Sequence, residues 1–201
     1  SIKDYGFNIG GSLIKDKIWF WGSYGVQDIN LMDMRGDADA TMLRTFNAKF
    51  NFAFGNHRIE LYGVYNDKIK EGRKRYPLDY YEAGRKQTGP AYIFKIQDEI
   101  TLGSSGLLSI KASYTPTSYK LEPYGGRNKP VYEEYKTYRW NTGTWEEYET
   151  KVYSGSILLN YFKDNFLIGD HQFKVGVDYR YSSSKTSSQL GNGLQLTTVD
   201  G

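Results

Sequence analysis

Residues 45–54 read TFNAKFNFAF, so Phe46, Ala48, Phe50, Phe52 and Phe54 fall on one side of an extended chain and Thr45, Asn47, Lys49 and Asn51 on the other. Only a strand has a side-chain period of two; a helix would scatter the phenylalanines around its circumference. Seven further segments repeat the pattern. Tyr5, Phe7, Ile9, Gly11 and Leu13 oppose Gly6, Asn8, Gly10 and Ser12, and Ile18, Phe20 and Tyr24 share a face while Trp19 and Trp21 blur the other. Ile59, Leu61, Gly63 and Tyr65 alternate with Arg58, Glu60, Tyr62 and Asn66, and Leu108, Ile110, Ala112 and Tyr114 with Ser109, Lys111, Ser113 and Thr115. Tyr153, Ile157, Leu159 and Tyr161 line a seventh segment, and Phe173, Val175, Val177, Tyr179 and Tyr181 an eighth. The fifth, with Tyr92, Phe94, Ile96 and Ile100, carries one intruder, Asp98, on its apolar side.

The connections alternate as strictly as the strands. Short links fall at 14–17, 55–57, 103–106 and 165–170, and long ones at 27–40, 70–87, 117–149 and 185–201. Strands joined in sequence by short turns pair as an antiparallel up-and-down meander, which gathers all long links at one end. Outer-membrane barrels have this plan, with short periplasmic turns and long extracellular loops. Ten residues at about 3.3 Å each, tilted near 45°, rise about 23 Å, close to the roughly 25 Å apolar band of such barrels. The opposite faces carry Lys49, Glu60, Lys95, Glu99, Lys111, Lys174, Asp178 and Arg180, charges that suit a watery lumen and that a soluble core could bury only in pairs.

Composition agrees. Exchanging the 19 Tyr for the 22 Gly moves the 39% apolar share only to about 40%, short of the roughly 45–50% of soluble domains on that residue set. Aromatic residues are 16% of the chain, and Tyr and Trp favour places with one wet and one apolar side. A net charge of +3 with basic residues scattered among 23 carboxylates gives no nucleic-acid footprint. There is no Cys for a disulfide or thiolate site, and no 18-residue apolar run for a membrane helix.

The opening stretch YGFNIGGSLIKDKIWFWGSY, residues 5–24, resembles the start of the β-barrel in Oar-like TonB-dependent outer-membrane transporters, where a segment of the form GFxxGGPxxKDKxFFFxxYE follows the plug domain. Ser12 stands where that pattern has Pro, and the Trp residues replace Phe. The resemblance implies that residues 1–201 are a partial receptor barrel domain. The plug, any preceding carboxypeptidase-regulatory-like domain and the remaining strands would lie outside it. It also implies residence in the outer membrane of a Gram-negative-type bacterium, with outer-membrane lipid, a TonB complex reached through the plug, and an extracellular ligand as partners.

Candidate ligand contacts gather in the longest link, where Tyr132, Tyr135, Tyr138, Arg139, Trp140, Trp145 and Tyr148 interleave rings with charge. Such a loop can stack on sugars or peptides and hydrogen-bond their polar groups; packing against its neighbours as part of an aromatic girdle is the alternative. Lys70, Arg73, Lys74 and Arg75 could receive lipopolysaccharide phosphates or another anion, or form a solvated loop. Asp33, Asp37 and Asp39 are hard ligands without EF-hand spacing, and Arg35-Gly36-Asp37 matches a cell-adhesion triplet at chance level. His57 and His171 both sit beside short turns and read as turn polarity. No nucleophile, acid–base pair, metal set or cofactor cradle emerges, so no enzyme is expected. A complete small eight-stranded barrel serving as anchor or adhesin, and a soluble carbohydrate-binding β-sandwich, stand as the other readings.

Overall fold

The structure, a computed structural model, describes residues 1–165 and 167–199. Phe166, in the fourth short link, and residues 200–201, in the last long one, lie outside the described residues. Eight long strands form one sheet: β1 (Ile2–Ile14), β2 (Ile18–Met32), β3 (Ala38–Phe54), β4 (His57–Arg73), β5 (Arg85–Leu102), β6 (Gly106–Pro123), β9 (Thr144–Lys163) and β10 (His171–Leu190). They pair in that order, each antiparallel to its neighbours. The expected all-β meander is therefore present, with every short turn at one end, the turn end, and every long connection at the other, the outer end. Gly55, with φ +56°, supplies the left-handed residue of the two-residue turn between β3 and β4.

Two expectations change at the outer end. The 117–149 link is not irregular: β6 runs on to Pro123, β9 begins at Thr144, and between them lie β7 (Val131–Glu134) and β8 (Tyr138–Trp140). The 185–201 link likewise continues β10 to Leu190 and adds β11 (Gln195–Thr198). β11, β7 and β8 form a small second sheet, in which β11 runs parallel to β7 and β8 antiparallel to it. The strand extensions carry polar residues on both faces, so their sequence loses the apolar period while the ladder goes on. Side-chain pairs hold it: the Tyr119 and Tyr148 rings stack at 5.1 Å, the Tyr119 hydroxyl donates to Glu146 at 2.7 Å, and Lys120 lies 3.4 Å from Glu147.

Register places the apolar residues of all eight strands on one face. At one height, Phe7 pairs with Tyr24, Tyr24 with Phe46, Phe46 with Tyr65 and Tyr65 with Tyr92. The Tyr92 ring stacks on Phe94 at 6.0 Å, and Phe94, Tyr114, Tyr153 and Tyr181 continue the line to β10. One step outward on this face the character changes to charge, with Arg44 3.7 Å from Asp67 and Lys151 2.8 Å from Glu149. Eight residues toward the turn end lie Phe54, Tyr161 and Phe173, counted from Phe46, Tyr153 and Tyr181. Between the two rows the apolar side chains are uncovered: Val177 is 71% exposed, Ile157 54% and Ile96 50%.

The other face binds itself together. Lys49 and Lys95 both reach Glu60, at 2.7 and 3.0 Å, Asn47 donates to Ser23 at 3.0 Å, and the Ser113 and Ser154 hydroxyls meet at 2.6 Å. Asp98, the intruder on the apolar face, lies beside the turn end with Oδ2 2.7 Å from His57 Nδ1. His57 is thus more than turn polarity: it is the partner of the one carboxylate that the strand pattern left unexplained.

Candidate ligand-binding cleft

The outer end is built on a buried carboxylate. Pro77 and Asp79 turn the segment between β4 and β5, and the fully buried Asp79 accepts the N–H groups of Arg75 and Tyr76 at 2.9 and 3.0 Å on Oδ2. Its Oδ1 accepts the N–H of Arg139 at 2.6 Å, and the N–H of Tyr80 donates to the carbonyl of Arg139 at 2.9 Å. One side chain therefore closes its own loop and fastens β8 to it.

Arg139 turns inward beneath this contact. It is 4% exposed, and its Nε donates to Glu133 Oε2 at 2.5 Å, with Thr144 and Gln195 at 3.4 and 3.3 Å on the remaining nitrogens. A guanidinium leaves water only with its charge paired and its donors used, so Arg139 ties β7, β8, β9 and β11 together and is not presented to a ligand, contrary to expectation. The period of two then decides the rest. With Val131, Glu133 and Arg139 buried, Tyr132, Tyr138 and Trp140 take the opposite face of the small sheet.

That face lines a cleft of about 680 Å³ formed by Tyr80, Tyr132, Tyr138 and Trp140 with Glu82, Lys129 and Asn141. The Tyr132 and Trp140 rings, cross-strand partners, lie 5.5 Å apart with planes 11° from parallel. Tyr138 stands 5.7 Å from Trp140, and Tyr80 5.9 Å from Tyr138. Arg35 backs Tyr80, its guanidinium 4.0 Å from the ring centre.

The other expected ring contacts lie elsewhere. Tyr135 is exposed at the tip of the β7–β8 turn, beneath Lys136 at 4.9 Å. Trp145 packs under Arg127 at 4.2 Å, and Tyr148 on Tyr119 within the β6–β9 ladder. Tyr80, Glu82, Lys129 and Asn141 were not singled out in the sequence. The turn residues Pro77 and Asp79 ahead of two tyrosines were the one local hint for Tyr80.

The two lysines of the basic run are neutralised where they stand. Lys74 keeps 7% of its side chain exposed and lies 2.5 Å from Asp33 and 2.6 Å from Asp37. Lys70 pairs with Asp39, and Arg73 donates to Gln87. Burial works against the Asp33 charge, but hydrogen bonds from Lys74 and from the N–H groups of Arg35 and Asp37 outweigh it and hold the carboxyl below its usual range. The same bonds raise Lys74 against its own burial. Lys70 and Lys74 are therefore spent on carboxylates, whereas among the described residues Arg73 and Arg75 have no carboxylate partner, and an ammonium stands between two of the three carboxylates considered for calcium. Arg35 and Asp37 of the adhesion triplet are both engaged, Arg35 also donating to the Leu78 carbonyl at 3.2 Å.

Close backbone approaches fix the cleft against the main sheet. Gly72 has φ +70°, and a Cβ there would meet the Ala38 carbonyl oxygen at 1.9 Å, so no other residue fits this bulge. Its N–H donates to the Tyr124 hydroxyl at 2.8 Å, and that hydroxyl donates to Glu71 at 2.6 Å. Burial and then the bond to Glu71 push the Tyr124 phenol well above its ordinary range, so it remains a donor at any physiological pH.

Compared with known proteins, the chain matches no family model, no curated protein and no solved structure.

Proposed function

We propose that this chain is a section of an outer-membrane TonB-dependent transporter barrel, Oar-like by the resemblance of residues 5–24, and that its outer end takes part in ligand capture for energy-coupled uptake. The observation that carries the reading is the asymmetry of the large sheet: one face leaves apolar side chains uncovered across eight strands, while the other carries the charges, with Lys49 and Lys95 paired to Glu60. Water-soluble monomers rarely expose a contiguous apolar patch of more than a few hundred Å². A bilayer accepts such a face, provided that every backbone group is paired and the polar face looks away from lipid.

Eight residues span about 26 Å of strand, or about 20 Å of height at a 40° tilt, so the outer aromatic row and the three rings of Phe54, Tyr161 and Phe173 are spaced like the girdles that flank an apolar band. The change to Arg44, Asp67 and Lys151 just beyond the outer row marks its boundary. Under this reading the cleft faces the cell exterior, ligand settles among the loops, and TonB acts from the periplasmic side through a plug seated against Lys49, Glu60 and Lys95.

The rival readings each require a missing pairing. A closed eight-stranded barrel needs β10 to pair with β1, and a sandwich needs a second sheet over the Phe46–Phe54 face; the described residues supply neither. Fractionation of source cells, followed by intact-mass measurement of the native product, tests the proposal. Recovery from outer membranes at several times 23.1 kDa is expected. Recovery near that mass, or in the soluble fraction, overturns it.

A further inference from the structure

We infer that the cleft takes a neutral saccharide, with one pyranose ring seated on the wall formed by Trp140 and Tyr132; the inference rests on the reading of the outer end as the ligand-capturing side. The two rings are cross-strand partners, stacked with centroids 5.5 Å apart and planes 11° from parallel, so backbone register holds them as one rigid aromatic pair. The C–H face of a pyranose is flat and apolar, and it packs on an aromatic ring without losing its hydroxyls to burial.

The polar groups around the wall are unspent. Among the described residues, the side chains of Tyr80, Tyr132, Tyr138, Glu82 and Lys129 make no hydrogen bond or ion pair, whereas Asp79, Glu133 and Arg139 immediately beneath are engaged. A satisfied support under a solvent-open polar rim is an arrangement that suits a preformed binding site. Phenol, carboxylate, ammonium and the Asn141 amide oxygen, whose Nδ2 already donates to the Pro130 carbonyl at 2.9 Å, offer both donors and acceptors, which a polyol matches hydroxyl by hydroxyl.

Charge and backbone weigh against the competing ligand classes. The lining holds one carboxylate and one ammonium, and Lys70 and Lys74 of the nearby basic run are paired with Asp33, Asp37 and Asp39, so an anionic metal chelate is matched less well than a neutral polyol. An extended peptide adding to β8, the edge strand of the small sheet that carries Tyr138 and Trp140, would find the N–H and C=O of Arg139 already taken by Asp79 and Tyr80.

The test uses the whole protein extracted in detergent, titrated calorimetrically with neutral hexaoses (α-1,4-, β-1,4- and β-1,3-linked glucose, β-1,4-linked mannose), with a ferric hydroxamate chelate, and with tri-lysine and tri-glutamate peptides. At least one hexaose is expected to bind. Trp140→Ala should weaken it ten-fold or more, and Tyr138→Ala three-fold or more, in case the first variant unsettles the small sheet. Trp21→Phe, on the large sheet, should leave affinity unchanged. Binding of no hexaose, hexaose binding indifferent to both cleft variants, or chelate or peptide binding that those variants abolish would each overturn the assignment. Location is read separately. A membrane protein that ignores hexaoses sinks the saccharide inference alone, while a soluble protein that binds them through Trp140 keeps the cleft and sinks the transporter reading.

Discussion

The large sheet and the small one solve opposite problems. Between its aromatic rows the large sheet turns Val177, Ile157 and Ile96 outward and, apart from Asp98 beside His57, holds its charges on the other face. At the outer end the ordinary order returns: Val131, Thr142 and Asp79 are the largest fully buried side chains, and a buried Arg139–Glu133 pair lies beside them. One chain therefore carries an inside-out body and a right-side-out cap. The difference teaches that the body depends on its surroundings for an apolar partner, whereas the cap makes its own interior from polar groups that satisfy each other.

The comparison breaks most visibly if the cap loses one of its charges. Glu133→Ala leaves the Arg139 guanidinium buried and unpaired, a cost of about 3–5 kcal/mol. Hydrogen exchange should then accelerate across 131–142 while the β2–β5 ladder keeps its protection; equal loss in both would show that cap and body are one cooperative unit. Next in size is Val177→Arg on the uncovered face, expected to cost about 2–4 kcal/mol in refolding into bilayers if the residue lies at mid-height in lipid. The neighbouring Asp178→Asn, on the polar face, should change refolding little.

Tyr124→Phe sharpens the comparison where the two regions join. It removes the hydroxyl shared by Glu71 and the Gly72 N–H, and about 1.5–3 kcal/mol of cap stability should go with it. Thermal melting of the cap, followed by Trp140 fluorescence, reads the loss, and an unchanged melt would exclude this link. The smallest effect is the pH dependence of the 33–37 turn. The Asp33 carboxyl is held below its ordinary value of 3.8, so its contribution is complete above about pH 4 and is lost as pH falls through the lowered value. The Lys74 ammonium is raised above 10.5, so its contribution is complete below that pH and is lost as pH rises through the raised value. Proteolytic nicking at Arg35 should thus increase at pH 3 and not between 5 and 9; increased nicking within that middle range would contradict the ion triad.

Much of the body was legible in the sequence because its two faces differ. The alternation at Phe46–Phe54 and Phe173–Tyr181 survives in the register, and the short and long links fall at opposite ends as their lengths imply. The cap was not legible, because β7, β8 and β11 are four, three and four residues long, with charged residues on the inner face. Glu133 and Arg139 are buried by pairing, and a hydropathy pattern has no sign for that. The same blindness made Arg139 and Lys74 look like free cations. Tyr132, Tyr138 and Trp140 were found by composition, whereas Tyr80 and Glu82 join them only through the Asp79 contact, which links positions 60 residues apart (79 to 139).

The most direct test of the inside-out body uses the absence of Cys from the chain. Single cysteines placed from 172 to 181 and spin-labelled in reconstituted bilayers report collision with oxygen, which concentrates in lipid, and with a water-soluble nickel chelate. Oxygen access should peak at 173, 175, 177 and 179, and chelate access at 174, 176, 178 and 180, in strict alternation. Chelate access at both sets of positions, or loss of access to both probes at 175 and 177, would contradict a lipid-facing sheet.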